Sequence, residues 1–286
     1  MLNDLKTYLS DLLNQKITKI SSVSGGDISS AYKIETDKQS FFLKANSNSN
    51  ALDMFNIEAK GLKAIQNTYT IKTPQILACS SFKNQAFILM EFVDSKQASA
   101  NDFENLGYQL AKLHQYHDEY FGLNHDNFIG SLPQRNSQHQ SWTDFYIKER
   151  LLPQLKLAQS KNLLRHEEIP TAESMSKALS SLFENIKPSL LHGDLWSGNF
   201  LISNEGTPFL IDPAVYYGHS EVDIAMSKLF SGFGERFYEA YAEIIPFSNE
   251  TTSRIEIYQL YYLLVHLNMF GRSYYGSVKS ILSKHF

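Results

Sequence analysis

The hydrophobic pattern of this chain changes near residue 94, and this change constrains the fold more than any other feature. Before it, short apolar runs separated by Gly, Ser, Asn and Pro predict β-strands. Those runs cover 17–23, 31–34, 41–45, 76–79 and 86–93. Helical spacing of apolar residues interrupts them at 2–13 and 52–62. The first 93 residues therefore predict a small β-rich lobe that contains one internal helix.

Beyond Asp94 the apolar residues recur mainly at helical spacing. This pattern predicts helices at 103–113, 142–155 and 167–183, and from 221 onward. A polar connector is expected at 134–141, and two short β-like pieces lie at 199–202 and 209–211. We therefore predict an α+β fold with two lobes, a β-rich N-terminal lobe over 1–93 and a larger, mainly helical lobe over 94–286.

Composition excludes several classes of protein. The 286 residues carry a net charge of −4, which argues against a nucleic-acid-binding surface. The single cysteine, Cys79, cannot form an intrachain disulfide. The N-terminus shows no signal-peptide pattern, and the most apolar late stretch, 261–270, is too short to cross a bilayer. We expect a cytoplasmic monomer without nucleic-acid or membrane partners.

The strongest chemical signal is the segment Leu190–Phe200, which reads Leu-Leu-His-Gly-Asp-Leu-Trp-Ser-Gly-Asn-Phe. The apolar end of a strand precedes Asp194, and Asn199 follows five residues after Asp194. A second apolar run then ends at Asp212, which a proline follows. Gly, Asp and Asn are also common in ordinary turns, so an accidental match is the alternative interpretation. A strand-terminal carboxylate at this distance favours a functional site over an accidental match.

This spacing suits phosphoryl transfer. One carboxylate must lie beside the attacking hydroxyl, and a neutral oxygen ligand with a second carboxylate must hold Mg²⁺ against the nucleotide phosphates. Asp194 fits the first role, and Asn199 with Asp212 fits the second. We expect Asp194 to be ionised near neutral pH so that it can accept the hydroxyl proton.

A lysine and a glutamate in the β-rich lobe add to this signal. Lys44 ends an apolar strand, and Glu58 lies within the apolar stripe of the following helix, between Phe55 and Leu62. A carboxylate at such a position is costly to bury unless a cation meets it. Lys44 is the natural partner, and a lysine held in this way can position nucleotide phosphates.

Two further segments are weaker candidates for nucleotide binding. The run Ser24–Ser30 contains Gly25 and Gly26 and could cover phosphates with backbone N–H groups, although a plain hairpin turn is equally compatible. Glu91, Phe92 and Val93 end the β-rich lobe and could hydrogen-bond an adenine, or could be an edge strand with a linker.

Taken together, these residues resemble the aminoglycoside phosphotransferase and choline kinase group of protein-kinase-like enzymes, and within it the fructosamine kinase (ketosamine-3-kinase) family. The resemblance extends over nearly the whole chain. It is carried by the loop 192–199 with Trp196, by the run Asp212-Pro-Ala-Val-Tyr-Tyr-Gly-His-Ser-Glu-Val-Asp223, by its continuation 225–230, and by the segment 142–155.

The resemblance implies a protein-kinase-like fold with a small antiparallel sheet, and an ATP-dependent kinase that phosphorylates the 3-hydroxyl of a small or protein-bound ketosamine, which implies deglycation. It implies Asp194 as proton acceptor and Asn199 and Asp212 as Mg²⁺ ligands. Lys44 would contact phosphates, and Glu91 to Val93 would line the adenine. The residues expected at the sugar end are Trp196, Glu221 and Asp223.

Two alternatives stay open at this stage. A kinase of the same fold could act on an aminoglycoside, choline or a thiosugar, and an acidic surface over the helical lobe would favour a polycationic aminoglycoside. A non-catalytic nucleotide-binding module is the other alternative. The presence of Lys44, Asp194, Asn199 and Asp212 together argues against it.

Overall fold

The computed structural model describes residues 2–23, 29–230 and 232–286. Its N-terminal lobe is built on a five-stranded sheet in which every neighbouring pair is antiparallel, in the order β1-β2-β3-β5-β4. The strands are β1 (Ile17–Ser22), β2 (Ser30–Thr36), β3 (Ser40–Asn46), β4 (Ile76–Phe82) and β5 (Gln85–Glu91). The predicted antiparallel sheet is confirmed.

One helix packs on each face of this sheet. Side chains alternate between the two faces along a strand, so Phe87 and Leu89 of β5 lie in one core cluster and Ile88 and Met90 in another. Helix α1 (Leu2–Leu13) contributes to the first cluster. Helix α2 (Ala51–Gln66) contributes Phe55 and Leu62 to the second.

Helix α2 also belongs to the core of the other lobe. Ile65, in its last turn, is fully buried within the large C-terminal cluster. At Gly61 the helix passes so close to Pro213 that an added Cβ would lie 3.2 Å from the proline Cγ. The helix that carries Glu58 is therefore packed against both lobes.

The C-terminal lobe is mainly helical, as predicted. Its helices are α3 (Ala100–His114), α4 (Trp142–Phe145), a π-helix (Tyr146–Leu151), α5 (Leu152–Ser160), α6 (Ala172–Leu179), α7 (Glu221–Leu229), α8 (Glu235–Ile244), α9 (Thr251–Phe270) and α10 (Tyr275–His285). Short 3₁₀ turns occupy His166–Glu168 and Arg272–Tyr274. Within the described ranges, no helix combines the length and the apolar character needed to cross a membrane.

Three small antiparallel sheets position the loops of the cleft. The first joins β6 (Ser95–Lys96), β10 (Phe200–Ser203) and β11 (Pro208–Leu210). The second pairs β9 (Ser189–Leu191) with β12 (Tyr216–Gly218), and the third pairs β7 (Asn127–Ile129) with β8 (Leu132–Gln134). Strand β9 ends immediately before His192, and β11 ends two residues before Asp212. The segment that carries Asp194 and the one that ends at Asp212 therefore each follow the end of a strand.

The structure departs from the predicted elements at several places, among them the start of α6 and the β7–β8 hairpin. Helix α6 begins at Ala172 rather than 167, because Pro170 cannot continue a helix and the Thr171 hydroxyl caps the first turn by accepting from the Ser174 N–H. The β7–β8 hairpin was not predicted, since strands of three residues carry too little alternation to be recognised.

Candidate active site

A cleft of about 750 Å³ lies between the two lobes and brings together residues that are far apart in the sequence. Lys44 and Glu58 reach it from the N-terminal lobe. Asp194, Asn199 and Asp212 reach it from the loops of the C-terminal lobe. All five were singled out from the sequence, and the structure places them on one surface.

Lys44 is the centre of the charged part of the cleft. Its Nζ lies 2.8 Å from Glu58 Oε1 and also donates a hydrogen bond to Asp212 Oδ1. Burial disfavours the charged amine, but the two carboxylates outweigh burial and raise the pKa of Lys44. Burial together with the charge of Asp212 raises the pKa of Glu58 to about 7, even though Lys44 opposes this shift. The Lys44–Asp212 contact was not anticipated from the sequence.

Asp212 adopts a backbone conformation that non-glycine residues rarely accept, with φ of 55°. Hydrogen bonds on both sides of it hold the turn, with the Ile211 N–H donating to the Asn199 carbonyl at 3.1 Å and the Ala214 N–H to the His192 carbonyl at 2.8 Å. Burial opposes the charge of this carboxylate, but Lys44 prevails and lowers the pKa of Asp212. Asp212 is therefore held as an anion at the end of β11.

Asp194 and Asn199 are joined across their loop. Asn199 is buried, and its Nδ2 donates to the Asp194 carbonyl at 2.8 Å and to Asp194 Oδ2 at 3.2 Å. Burial and repulsion from Asp212 raise the pKa of Asp194 to about 7, against the hydrogen bond from Asn199. Asp194 was expected to be ionised near neutral pH, but burial and the charge of Asp212 place its pKa at about 7, so the protonated carboxyl is also populated there.

The loop that carries Asp194 is anchored from behind by Asp223. This carboxylate accepts the backbone N–H groups of His192 at 2.7 Å and Gly193 at 2.8 Å, and it lies 3.0 Å from His114 Nε2. Asp223 and His114 are completely buried. Glu221 is buried as well and pairs with Arg254 at 2.7 Å.

These contacts correct one prediction. Glu221 and Asp223 were expected at the sugar end, but their carboxylates are committed to protein groups and they are not part of the cleft lining. Asp223 holds the loop that carries Asp194 instead. Its own partner is His114, whose Nε2 lies 3.0 Å from Asp223 Oδ2.

Gly193 is required where the two loops meet. Its φ is 83°, and an added Cβ would lie 2.1 Å from the Ala214 carbonyl oxygen. No other residue can occupy this position without moving the backbone. The Asp194 loop and the segment after Asp212 are therefore packed backbone against backbone.

The other end of the cleft is largely apolar. Trp196 is 39% exposed and lies at its mouth. The wall is completed by apolar and aromatic side chains, namely Phe128, Ile129, Met226, Phe230, Val265, Met269, Phe270 and Tyr274. Burial lowers the pKa of His266, which keeps this imidazole neutral at pH 7. Among the described lining residues, the only carboxylates are Glu58, Asp194 and Asp212.

The remaining predicted residues lie elsewhere. Glu91, Phe92 and Val93 form the passage between the lobes and are not among the lining residues of the cleft. The Glu91 carboxylate accepts from the Gln75 N–H at 3.1 Å. Gly25 and Gly26 lie outside the described residues.

A β-sheet lobe lies over a helical lobe, and the cleft between them holds a lysine, a glutamate and strand-end carboxylates. This arrangement defines a phosphotransferase of the protein-kinase-like fold. A solved aminoglycoside phosphotransferase superimposes over 100% of both chains with a TM-score of 0.64 at 15% identity, which shows the shared fold. The predicted fold class is confirmed.

The chain belongs to the fructosamine kinase family, whose family model matches residues 1–286. It is 40% identical to a protein of Enterococcus faecium named a probable ketoamine kinase, over 98% of this chain and 99% of the relative. It is also 40% identical to the chloroplastic protein-ribulosamine 3-kinase of Arabidopsis thaliana, over 94% of this chain and 83% of the relative. A Haemophilus somnus structure assigned as a fructosamine-3-kinase superimposes with a TM-score of 0.87 at 27% identity, covering 99% of this chain and 96% of that one. The protein is thus an ATP-dependent kinase.

Proposed function

We propose that this kinase transfers the γ-phosphoryl group of ATP to the 3-hydroxyl of a ketosamine, either a fructosamine or a ribulosamine, free or attached to a protein. The observation that carries the proposal is the convergence of Lys44, Glu58, Asp194, Asn199 and Asp212 on one cleft. The names of the relatives, ketoamine kinase and protein-ribulosamine 3-kinase, support the substrate class. A phosphate on this hydroxyl would begin the removal of the sugar, so the role would be deglycation.

Asp194 would act as proton acceptor. It is the one carboxylate of the described lining that is not hydrogen-bonded to, or bridged by, Lys44. As the acceptor oxygen forms its bond to the γ-phosphorus, the bond from that phosphorus to the β–γ bridging oxygen breaks and ADP leaves. The hydroxyl proton passes to the Asp194 carboxylate, which Asn199 orients.

Asn199 and Asp212 would hold Mg²⁺. The Asn199 Nδ2 is used in two hydrogen bonds, so its Oδ1 is the atom available to a cation. A neutral amide oxygen and a carboxylate are hard ligands that suit Mg²⁺, which usually keeps phosphate and water ligands as well. When bound, the ion would supply charge neutralisation for the phosphates.

The nucleotide would lie along the N-terminal lobe. Lys44, held by Glu58 at 2.8 Å, would contact the phosphates. Gly25 and Gly26 would cover them with backbone N–H groups, and Glu91, Phe92 and Val93 would contact the adenine. In the described part of the chain, the backbone of Val93 makes no hydrogen bond, which leaves its polar groups available to a base.

The apolar end of the cleft supports a ketosamine over a polycationic aminoglycoside. Several ammonium groups would need carboxylates there, and the described lining has none beyond the three catalytic ones. A sugar ring can pack on the exposed indole of Trp196, and a single ammonium can be held against aromatic faces. We assign Trp196 to the sugar of the acceptor.

The test is an ATP-consumption assay with fructosyl-lysine, ribulosyl-lysine, an aminoglycoside and choline, each with and without Mg²⁺. We expect turnover with one or both ketosamines only when Mg²⁺ is present, and ³¹P NMR of the product should show the phosphate on the 3-hydroxyl. Preferential turnover of the aminoglycoside or choline would contradict the proposal. Nucleotide binding without transfer to any acceptor would favour a non-catalytic module. Light scattering of the same sample tests the expected monomer.

A further inference from the structure

The β7–β8 hairpin touches both ends of the catalytic cleft. Its tip, Phe128 to Gly130, lines the apolar acceptor end. Its first and last residues, Asn127 and Gln134, face each other as cross-strand partners and are 4% and 2% exposed. Buried amides of this kind must find hydrogen-bond partners, and here the partners belong to the chain that follows Asp212.

Both amides donate to that chain. Asn127 Nδ2 donates to the Val215 carbonyl at 2.8 Å. Gln134 Nε2 donates to the Ala214 carbonyl at 3.3 Å and to Asn127 Oδ1 at 2.8 Å. The Tyr261 hydroxyl donates to Gln134 Oε1 at 2.6 Å, which fixes the orientation of this amide so that its NH₂ faces the loop.

The two carbonyls lie where the catalytic loops meet. Ala214 is two residues beyond Asp212, its N–H donates to the His192 carbonyl, and its own carbonyl packs against Gly193. Asp212 keeps a left-handed conformation, which persists only where the surroundings determine it. The hairpin amides are part of those surroundings.

The base of the hairpin is itself held by an unusual buried cation. Arg150 is 0% exposed, and the hydrogen bonds described for its guanidinium go to carbonyl and amide oxygens. Its guanidinium donates to Asn136 Oδ1 at 2.7 Å and to the Arg135 carbonyl, and it lies 3.9 Å from the centre of the Tyr216 ring. Arg150 therefore ties the residues after β8 to the residue that follows Val215.

We propose that Gln134 and Asn127 are positioning residues for phosphoryl transfer, which act by fixing the backbone that sets the Asp212 carboxylate. Neither residue is among those that line the cleft, so their effect would pass through Asp212. The inference rests on the proposed function, because it takes Asp212 as a metal ligand. Groups that orient a metal ligand contribute roughly 10- to 100-fold to metal affinity or activity.

The principal experiment replaces Gln134 with methionine, which keeps the volume but removes the NH₂ donor and the acceptor. We expect the affinity for Mn²⁺ with AMP-PNP, measured by calorimetry, to fall roughly 10- to 100-fold. The value of kcat with a ketosamine should fall by a similar factor, while the KM of the acceptor changes much less. Tyr261→Phe removes only the hydroxyl that orients Gln134 and should shift both quantities in the same direction by a smaller factor.

Gln154→Met is the matched control. Gln154 is 4% exposed in the same lobe and bonds to Asn268, away from the catalytic loops. This variant should bind Mn²⁺ with AMP-PNP as tightly as the wild type does, even if its Tm is lower. The inference is overturned if a folded Gln134→Met or Tyr261→Phe protein keeps wild-type affinity and kcat, or if Gln154→Met loses as much. Wild-type protein without kinase activity would instead overturn the proposed function.

Discussion

The two ends of the cleft are built on opposite principles. The catalytic end concentrates Lys44, Glu58 and Asp212 in direct contact, shifts the pKa of each, and holds Asp212 in a left-handed conformation. The acceptor end has apolar walls and a His266 whose pKa burial lowers. The comparison places the carboxylates and the lysine of the described lining at one end and the apolar wall at the other. Under the proposed function, charged groups would act on the phosphates, and shape and apolar contact would select the acceptor.

The largest expected effect is at the catalytic end. Asp194→Asn removes the proposed proton acceptor but keeps the size of the side chain, so kcat should fall roughly 10²- to 10⁴-fold. AMP-PNP should still bind, because the Lys44 pair is untouched. Steady-state kinetics and calorimetry measure the two quantities. Asp144→Asn, at an exposed acid on α4, is the control, and wild-type turnover in Asp194→Asn would remove this carboxylate from the mechanism.

The pH dependence of kcat/KM should expose the same group. Asp194 must be ionised to accept a proton, and in the free enzyme its pKa is raised to about 7. The value of kcat/KM should therefore fall about tenfold for each pH unit below this point and level off above it. Glu58 titrates in the same range, so Glu58→Gln is the decisive variant. It should keep the inflection, and losing it would assign the titration to Glu58.

A smaller effect is expected at the acceptor end. Phe230 lines this end and lies with its ring centre 4.8 Å from that of His266. Phe230→Ala should raise the KM of a ketosamine by about 5- to 30-fold, the equivalent of about 1–2 kcal/mol of apolar contact. The KM of ATP should stay within about twofold of wild type. An equal rise in the KM of the ketosamine and the KM of ATP would mean that Phe230 affects both substrates alike.

The smallest effect concerns stability. The pKa of Asp194 is raised from 3.8 to about 7 on folding, so the folded state binds a proton that the unfolded state has released between these values. The contribution of this group to the free energy of unfolding is complete below pH 3.8 and is lost as the pH rises through 7. The Tm of Asp194→Asn should therefore rise relative to that of wild type as the pH increases from 5 to 8. The expected difference is about 2–4 °C for each kcal/mol of unfolding free energy that the wild type loses over this range. A constant difference between the two proteins across this range would contradict the shift.

Much of this contrast could be predicted from the sequence. Asp194 and Asp212 stand shortly after apolar runs, Asn199 stands just before one, and strand ends deliver side chains to the edges of sheets, so their convergence followed from local patterns. Glu58 within an apolar stripe required a cation, and Lys44 was the nearest candidate. These predictions depended on residue spacing and on the cost of burying a charge, both of which can be read from the amino-acid sequence alone.

What could not be predicted depends on long-range packing. Asp223 occurs in a recognisable segment, yet only the structure shows that its carboxylate accepts from His192 and Gly193 rather than from a substrate. The β7–β8 hairpin carries Gln134 to Ala214 across 80 positions of the chain. No local pattern reports such a contact, because the residues that bond to each other belong to different elements.

The dual packing of α2 bears on how this kinase can be controlled. In protein kinases, moving the glutamate-bearing helix is one way of assembling or dismantling the lysine–glutamate pair. Here the same helix buries Ile65 in the C-terminal core and seats Gly61 against Pro213. Swinging it outward would expose that core, so the pair is assembled as soon as the chain has folded. The packing that joins the two lobes therefore also holds the Lys44–Glu58 pair in place.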